Sequence, residues 1–231
     1  MTGSFIELIA TTEDELKEAD KIAANGSART IYVMPGLIQI AGVARSLSNG
    51  KYKIIIMVDY PKGSHYGMDK FKGTPTDFFL ADGYDIILTP GRTPTEVENE
   101  IKIVNSFIKT MISQHSMVCY TINASMRNQA EIEACARAFS SSPPGLIKLE
   151  ASTTVQPTKA NLEVHKNTIK LIRNSCTSPI AVCGNVTYGI YKEFSSIHKI
   201  VASPEQYRVM KKQEETENET KLLNAVKRNG V

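Results

Sequence analysis

Few cysteines occur in this sequence, and their spacing argues against two kinds of cross-linked protein. The chain has Cys119, Cys135, Cys176 and Cys183, and no two of them form a C-x-x-C pair. These spacings fit neither a structural zinc site nor a disulfide framework. We therefore expect reduced, mostly buried thiols, as in proteins of the cytoplasm.

Long apolar runs and targeting signals are missing as well. No segment reaches the roughly 18 apolar residues that a transmembrane helix requires. The first residues, Met1 to Glu7, contain neither the basic region nor the long apolar region of a secretory signal peptide. We expect a cytoplasmic protein that has no membrane partner.

Charge and histidine patterns exclude two further classes of partner. The 27 basic residues outnumber the 24 acidic residues only slightly, and they are spread along the chain instead of forming a basic stripe with interleaved aromatics. Nucleic acid is therefore not an expected partner. The four histidines show no metal-ligand spacing, and the chain has no Walker A, G-x-S-x-G or G-x-G-x-x-G motif. We expect neither a metal nor a cofactor.

Short β-rich runs alternate with helical patterns along the chain. Eight runs predict strands: Ser4–Ile9, Arg29–Met34, Lys53–Val58, Tyr84–Leu88, Met117–Ile122, Leu146–Leu149, Pro179–Cys183 and Ile197–Val201. The continuous apolar run Lys53–Val58 is typical of a strand buried on both faces of a parallel sheet. Repeated β/α units predict such a sheet, and eight of them indicate a single-domain α/β protein with a (β/α)8 TIM-barrel fold.

The segments between these strands carry helix signals. Helices are predicted from Thr11 or Thr12, over Leu37–Leu47, around Met68–Leu80, over Thr95–Met111, Asn128–Phe139, Thr158–Ile172 and Tyr188–Phe194, and from Glu205 onward. Apolar residues recur every three to four positions within Thr95–Met111, as an amphipathic helix requires. We assign residues 1–210 to the barrel and the highly charged residues 211–231 to a C-terminal helix or tail.

Lys148 lies in one of the short apolar strands. Burial disfavours the charged form of lysine and can lower its pKa by several units. A neutral amine can attack a carbonyl group and form a Schiff base, so Lys148 is a candidate nucleophile. The alternative is an edge-strand lysine whose ammonium group reaches water.

Asp85 precedes large aliphatic residues in the predicted fourth strand. Because a buried carboxylate is costly unless it is paired, an inward Asp85 could meet an inward Lys148. The two would then combine a proton-transfer carboxylate with an amine nucleophile. A structural ion pair that keeps Lys148 charged and inert is equally compatible with the sequence.

Residues after the third and seventh strands are candidates for substrate binding. Asp59 and Lys62 follow the third strand on the expected catalytic rim, where they could bind a hydroxyl or phosphate group. For each of them a solvated turn is the alternative. Gly184, at the end of the seventh strand, permits close approach of the backbone to an anion.

Several segments, taken in chain order, resemble the deoxyribose-phosphate aldolase family. Thr30–Pro35 resembles the family's second strand, Ile54–Gly63 its third strand and F-P-x-G turn, Gly83–Ile87 its fourth strand, and Leu146–Thr153 the F-V-K-T-S-T-G segment that holds the Schiff-base lysine. The resemblance extends from about Thr11 to Val201, which is most of the chain.

This resemblance implies a class I lyase that cleaves 2-deoxyribose 5-phosphate to acetaldehyde and glyceraldehyde 3-phosphate. Lys148 would be the Schiff-base nucleophile and Asp85 the proton-transfer carboxylate. Ser152, within the lysine segment, joins the candidates for substrate binding. The implied partner is a small sugar phosphate or a related aldehyde. Whether the protein forms a homo-oligomer is left open by the sequence.

The sequence departs from the family pattern at positions that tune the chemistry. Ala181 stands where the family has a second lysine that helps to depress the pKa of the nucleophile, and Asn185 replaces the second glycine of that strand. If the pKa of Lys148 stays near 10, its reactive fraction is about a thousandfold below that of a group tuned to 7. Two hypotheses follow: a Schiff-base lyase with impaired or altered activity, or a catalytically inactive homologue that serves as a binding or assembly protein.

Overall fold

Eight parallel strands, hydrogen bonded in chain order, close into a barrel. The computed structural model describes residues 6–72, 74, 80–111, 116–150, 159–195 and 198–228. The strands are β1 (Ile6–Ala10), β2 (Thr30–Val33), β3 (Lys53–Val58), β4 (Gly83–Ile87), β5 (Met117–Asn123), β6 (Leu146–Glu150), β7 (Ile180–Cys183) and β8 (Lys199–Ala202). The predicted single-domain (β/α)8 fold is confirmed.

Helices alternate with the strands and form the outer layer. They are α1 (Glu13–Ala24), α2 (Ile38–Leu47), α3 (Pro94–Met111), α4 (Gln129–Ser141), α5 (Lys159–Arg173), α6 (Tyr188–Phe194) and α7 (Pro204–Arg228). After β3 the structure has a 3₁₀ helix, Gly67–Phe71, where the sequence predicts a helix around Met68–Leu80. Residues 73 and 75–79 of that prediction lie outside the described residues. None of the described helices is long and apolar enough to cross a membrane.

Side-chain caps explain where some of these helices begin. Thr12 Oγ1 accepts a hydrogen bond from the Glu15 N–H at 3.2 Å at the start of α1. Asn128 Oδ1 accepts one from the Glu131 N–H at 3.0 Å at the start of α4. Each bond satisfies a backbone donor that a helix start otherwise leaves without a partner, and replacing such a cap by alanine costs about 1 kcal/mol.

The strands separate two apolar layers. In β3, Ile54 and Ile56 pack with the helix layer, whereas Ile55 and Met57 face the barrel interior. All four side chains are fully buried, which explains why this strand is a continuous apolar run. Burial of each contributes about 1.5–3 kcal/mol to folding.

A polar cluster closes the N-terminal end of the barrel. Glu7 is buried there, and Lys199 Nζ lies 2.6 Å from its Oε1 atom. The Tyr32 hydroxyl donates to Glu7 Oε2 at 2.6 Å, and the Thr30 hydroxyl donates to Oε1 at 3.4 Å. Because both carboxylate oxygens have partners, the cost of burying Glu7 is offset. The same bonds fix the Tyr32 ring in the barrel interior.

Helix α7 runs without a break across residue 211. Its charged part contacts α6: the Tyr191 hydroxyl donates to Glu214 at 3.2 Å, and Lys192 Nζ lies 2.9 Å from Glu217. Ion pairs with this much exposure contribute little to stability. The domain boundary drawn at residue 210 stays a prediction.

Candidate functional site

A cavity of about 190 Å³ opens at one end of the barrel. Its lining includes Tyr60 from the loop after β3, Lys148 and Glu150 of β6, Gly184 from the loop after β7, and Ser203 from the loop after β8. These positions lie late in strands or directly after them. The cavity therefore occupies the C-terminal end of the barrel, where the active sites of this fold are found.

Strand β6 brings two ionisable side chains into this cavity. Side chains alternate between the faces of a strand, so Leu146, Lys148 and Glu150 share one face. Leu146 belongs to the interior cluster, whereas Ile147 and Leu149 belong to the outer one. The Lys148 side chain is only 2% exposed. It points into the barrel. The edge-strand alternative requires the ammonium group to reach bulk water, and it does not.

Lys148 and Asp85 form a buried ion pair. Lys148 Nζ lies 2.5 Å from Asp85 Oδ2, and the Thr121 hydroxyl donates to Asp85 Oδ1 at 2.8 Å. The strand order explains this meeting, because β5, which carries Thr121 in register with Lys148, lies between β4 and β6. Both oxygens of the carboxylate have a partner, which is the condition under which a buried charge pair is tolerated.

The charge of Asp85 determines the protonation state of Lys148. Burial by itself lowers the pKa of the ammonium group, but the negative charge of Asp85 and its hydrogen bond outweigh burial and raise the pKa of Lys148 above its ordinary value. At neutral pH the resting side chain is therefore an ammonium ion. In that form its nitrogen has no lone pair with which to attack a carbonyl group.

The ring of Tyr32 forms part of the wall around this ammonium group. Lys148 Nζ lies 4.0 Å from the ring centroid, within the range of a cation–π interaction. Such a contact is worth about 2 kcal/mol where water is excluded. It adds to the preference of Lys148 for its charged form.

Strand β7 gives Lys148 no cationic neighbour. The residue in register with Lys148 on β7 is Ala181, which is fully buried. Cys119 and Cys183 also face the interior, and burial raises the pKa of both thiols well above the ordinary value. The described neighbours of Lys148 thus include carboxylates, thiols and an aromatic ring, and none of these lowers its pKa as a nearby cation would.

Glu150 is the second buried carboxylate at this cavity. It is 5% exposed, and its Oε2 atom has no hydrogen-bond partner within the described ranges. Burial raises the pKa of Glu150, and the charge of Lys148 opposes this only in part. Burial, together with the charge of Glu150, also raises the pKa of the Tyr60 hydroxyl, to about 12. Perturbed ionisable groups in a cleft are candidates for function.

The backbone after β7 turns in a left-handed conformation at the cavity wall. Gly184 has a φ of 74° and Asn185 a φ of 42°, and both line the cavity. Glycine adopts this conformation without steric cost, and asparagine tolerates it better than most residues. Gly184 therefore lies where the sequence analysis expects it. Ser152, another predicted binding residue, lies outside the described residues.

Asp59 and Lys62 lie apart from this cavity. Neither is among the described residues that line it, and Lys62 is exposed. The Asp59 carboxylate lies 2.8 Å from His65 Nδ1 and 3.1 Å from the buried Lys70 Nζ. Burial opposes its ionisation, but hydrogen bonds from His65 and Lys70 outweigh burial and lower the pKa of Asp59. Its oxygens are committed to this network, so the geometry gives no support to a role in substrate binding.

The described side chains offer no site for a metal ion. No group of three or more His, Cys, Asp or Glu residues comes together in a suitable arrangement within the described ranges. Asp59 and Glu100 do converge, but they share the ammonium group of Lys70, at 3.1 and 3.0 Å. A resident positive charge excludes a cation from that position.

Sequence reasoning named Lys148 and Asp85 but missed Glu150, Tyr60 and Thr121. A signal for Glu150 was present, because a residue two positions from an inward lysine in a strand shares its face. Tyr60 and Thr121 carry no comparable local signal. Their positions follow from how the loop after β3 and strand β5 are placed in the closed barrel.

Neither a family model nor a curated protein matches the sequence. Solved structures are similar throughout the chain. The deoxyribose-phosphate aldolase from Aeropyrum pernix, described as a tetramer, superposes with a TM-score of 0.69 at 10% identity, covering 92% of this chain and 90% of that chain. A Toxoplasma gondii protein assigned as a deoxyribose-phosphate aldolase superposes with a TM-score of 0.68 at 14% identity, covering 93% of each chain. The chain shares the fold of the deoxyribose-phosphate aldolases.

More distant barrels are similar too. A 2,3-dimethylmalate lyase superposes with a TM-score of 0.54 at 13% identity and covers 99% of this chain and 84% of that chain. At such low identity these likenesses establish the fold alone, because one barrel supports many different reactions. The chemistry has to be argued from the residues of the cavity.

Proposed function

We propose that this protein is a class I carbon–carbon lyase in which Lys148 forms a Schiff base with an aldehyde or ketone. The observation that carries the proposal is the position of Lys148, which lines the cavity at the C-terminal end of the barrel and lies 2.5 Å from Asp85. A lysine beside a proton-accepting carboxylate in such a cavity suits an amine nucleophile. The proposed substrate is 2-deoxyribose 5-phosphate or a related sugar, cleaved to acetaldehyde and a second aldehyde.

The first steps require the neutral amine. The Lys148 ammonium group passes a proton to Asp85, and the freed lone pair attacks the substrate carbonyl carbon to give a carbinolamine. Asp85 then returns its proton to the carbinolamine oxygen, which leaves as water, and an iminium ion remains. The iminium nitrogen accepts the electron pair of the C–C bond that breaks. Protonation of the resulting enamine at carbon, followed by hydrolysis, releases acetaldehyde and restores Lys148.

The raised pKa of Lys148 sets the expected pH dependence of this reaction. Since the ammonium form dominates at neutral pH, Schiff-base formation should be slow there. It should rise by about tenfold per pH unit until the pH reaches the pKa of Lys148. This supports an enzyme with impaired or altered activity, which works best under alkaline conditions.

Borohydride trapping tests the proposal. The protein is incubated with 2-deoxyribose 5-phosphate, 2-deoxyribose or acetaldehyde at neutral and alkaline pH, reduced, digested and analysed by mass spectrometry. We expect an adduct on Lys148 that increases with pH. Lys148→Met should lose this adduct, whereas Lys102→Met, which removes an exposed lysine of α3, should retain it. An adduct confined to surface lysines, or no adduct at all, would contradict the proposal.

A second candidate is a barrel that has lost catalysis and acts as a binding or assembly protein. The observation that favours it is the same ion pair, because Asp85 holds Lys148 in the unreactive ammonium form. On this reading no adduct forms at any pH. The mass of the protein in solution would then show whether it assembles with itself. Under either proposal, buried cysteines without disulfide bonds support a cytoplasmic location.

A further inference from the structure

Glu150 is a buried carboxylate that the steps above do not use. It lines the cavity, it is 5% exposed, and its Oε2 atom has no hydrogen-bond partner among the described residues. Asp85 differs, since Lys148 and Thr121 hold its two oxygens. Buried polar atoms in folded proteins nearly always have a partner, and an exception calls for an explanation. Because Glu150 lines the cavity and this oxygen has no described partner, its carboxylate is a candidate group for binding a ligand there.

Glu150 lies one layer nearer the mouth of the barrel than Lys148. The two residues share the inward face of β6, and their Cα atoms are roughly 6–7 Å apart because a strand rises about 3.3 Å per residue. In register, Lys148 is level with Ala181 and Glu150 is level with Cys183. A substrate whose carbonyl carbon is bonded to Lys148 Nζ extends from there toward the mouth. Glu150 lies in the direction in which the rest of such a substrate extends.

We infer that Glu150 is a catalytic base of this cavity and that the substrate is an unphosphorylated hydroxy aldehyde or hydroxy ketone bound to Lys148. The inference rests on the proposed Schiff-base function. Glu150 removes the proton of the substrate hydroxyl group, and the O–H electron pair becomes the second bond of a new carbonyl. The C–C bond breaks, and its electron pair moves onto the iminium group to form the enamine. Protonated Glu150 then gives the proton to the enamine carbon.

The surroundings of Glu150 suit this role. Burial raises its pKa above the ordinary value of a glutamate. A general base is most effective when its pKa lies near the working pH, and the same group can then act as the acid. Asp85 is less suited to this step, because its oxygens are held by Lys148 and Thr121 and it is not among the described residues that line the cavity.

The charges around the cavity disfavour a phosphate group. The acidic and basic side chains among the described residues that line it are Lys148, Glu15 and Glu150. Asp85 already compensates the charge of Lys148. Among the described residues, a phosphate dianion would therefore face carboxylates without an uncompensated cation, and like charges repel. An uncharged hydroxyl group can instead donate a hydrogen bond to Glu150.

The start of α7 beside the cavity already uses two of its donors. The Ser203 N–H donates to Gln206 Oε1 at 3.0 Å, and the Gln206 N–H donates to Ser203 Oγ at 3.2 Å. Helix N-termini bind phosphate through N–H groups that have no partner within the helix. Because the side chain of each residue accepts a hydrogen bond from the backbone N–H of the other, these two donors are not free to bind an anion.

Paired measurements on Glu150→Gln test the inference. Borohydride trapping with 2-deoxyribose reports the adduct on Lys148, and acetaldehyde release reports cleavage of 2-deoxyribose and of 2-deoxyribose 5-phosphate. We expect the adduct yield to stay within about twofold of the wild type, whereas acetaldehyde release falls by about a hundredfold, the loss typical of a missing general base. The wild type should cleave 2-deoxyribose at least about tenfold faster than its 5-phosphate, because of charge repulsion.

Two further variants serve as controls. Glu133→Gln makes the same chemical change on α4, outside the cavity, and should leave adduct and release unchanged. Glu150→Asp keeps a carboxylate with a side chain one methylene shorter, so its release should exceed that of Glu150→Gln. It also provides a test if the glutamine variant does not fold, which a melting curve would show.

The three measurements separately test the role of Glu150, the substrate and the Schiff base on Lys148. If release from Glu150→Gln equals that of the wild type, the role of Glu150 is overturned and the Schiff-base proposal stands. If the wild type cleaves the 5-phosphate faster than the free sugar, the substrate assignment is overturned. If the wild type forms no Lys148 adduct with either sugar, the proposed function fails, and the inference about Glu150 fails with it.

Discussion

Replacing Asp85 by asparagine should reverse the way in which protein stability responds to alkaline pH. In the wild type, the charge of Asp85 raises the pKa of Lys148 above its ordinary value. In Asp85→Asn the burial of Lys148 remains and the compensating charge is gone, so the pKa falls below that value. At an effective dielectric constant of about 20, two unit charges even about 4 Å apart interact by about 4 kcal/mol, and the Lys148–Asp85 pair is closer than this, so the lost interaction is enough to move the pKa from above to below its ordinary value.

The sign of the effect follows from which state binds more protons. In the wild type the folded pKa of Lys148 lies above the unfolded value of about 10.4, so its stabilisation is complete below that pH and is lost as the pH rises through the folded pKa. In Asp85→Asn the folded pKa lies below the unfolded value. Between the two values only the unfolded state holds the proton, so stability rises with pH by about 1.4 kcal/mol per unit.

Urea unfolding from about pH 7 to about pH 10 measures this slope directly. Other lysines and tyrosines also titrate in this range, so the double variant Asp85→Asn/Lys148→Met supplies the baseline. The difference between Asp85→Asn and the double variant isolates Lys148. If the two unfolding free energies run parallel across the range, Lys148 is not a buried amine controlled by Asp85, and the reasoning is refuted.

Two further substitutions test other features of the structure. Ala181→Lys adds a second ammonium group in register with Lys148, which should lower the Lys148 pKa and raise borohydride-trapped adduct at neutral pH by at least about tenfold; unchanged trapping would contradict this. His165 is fully buried, neither of its ring nitrogens has a described partner, and burial lowers its pKa to about 4. Because its unfolded pKa is about 6.5, stability should fall by about 3 kcal/mol as the pH drops through this window. In urea unfolding His165→Leu should lack that loss, and an equal loss would show that another group causes it.

The barrel could be predicted because each strand is buried on both faces and reads as a short apolar run. Strand β3 and helix α6 begin and end at the predicted residues. The first strand, predicted as Ser4–Ile9, ends one residue later at Ala10, a difference typical of element ends, and Ser4 and Phe5 lie outside the described residues. The segment after β3 differs from the prediction, since a helix predicted from its residues begins as the 3₁₀ helix Gly67–Phe71.

The candidate site could be predicted where a strand fixes the direction of the side chain. Asp85 and Lys148 both lie on strands, and the closure of the barrel brings them within 2.5 Å. Asp59 lies just beyond a strand, with a φ of 62°, and binds Lys70 from the following 3₁₀ helix. No local pattern indicates that partner. Side-chain direction beyond a strand end depends on the tertiary structure, and the sequence pattern does not contain it.

The hydrogen-bonded cluster at the N-terminal end of the barrel bears on where substitutions will be felt. In most TIM barrels that end serves stability and the opposite end serves catalysis. Here Lys199 binds Glu7, Glu7 holds the Tyr32 hydroxyl, and the Tyr32 ring contacts Lys148. These successive contacts lead through the barrel interior from the N-terminal end to Lys148 in the candidate site. Lys199 is 33% exposed, so a substitution that removes its charge is expected to alter the Tyr32–Glu7 hydrogen bond and, through the Tyr32 ring, the surroundings of Lys148.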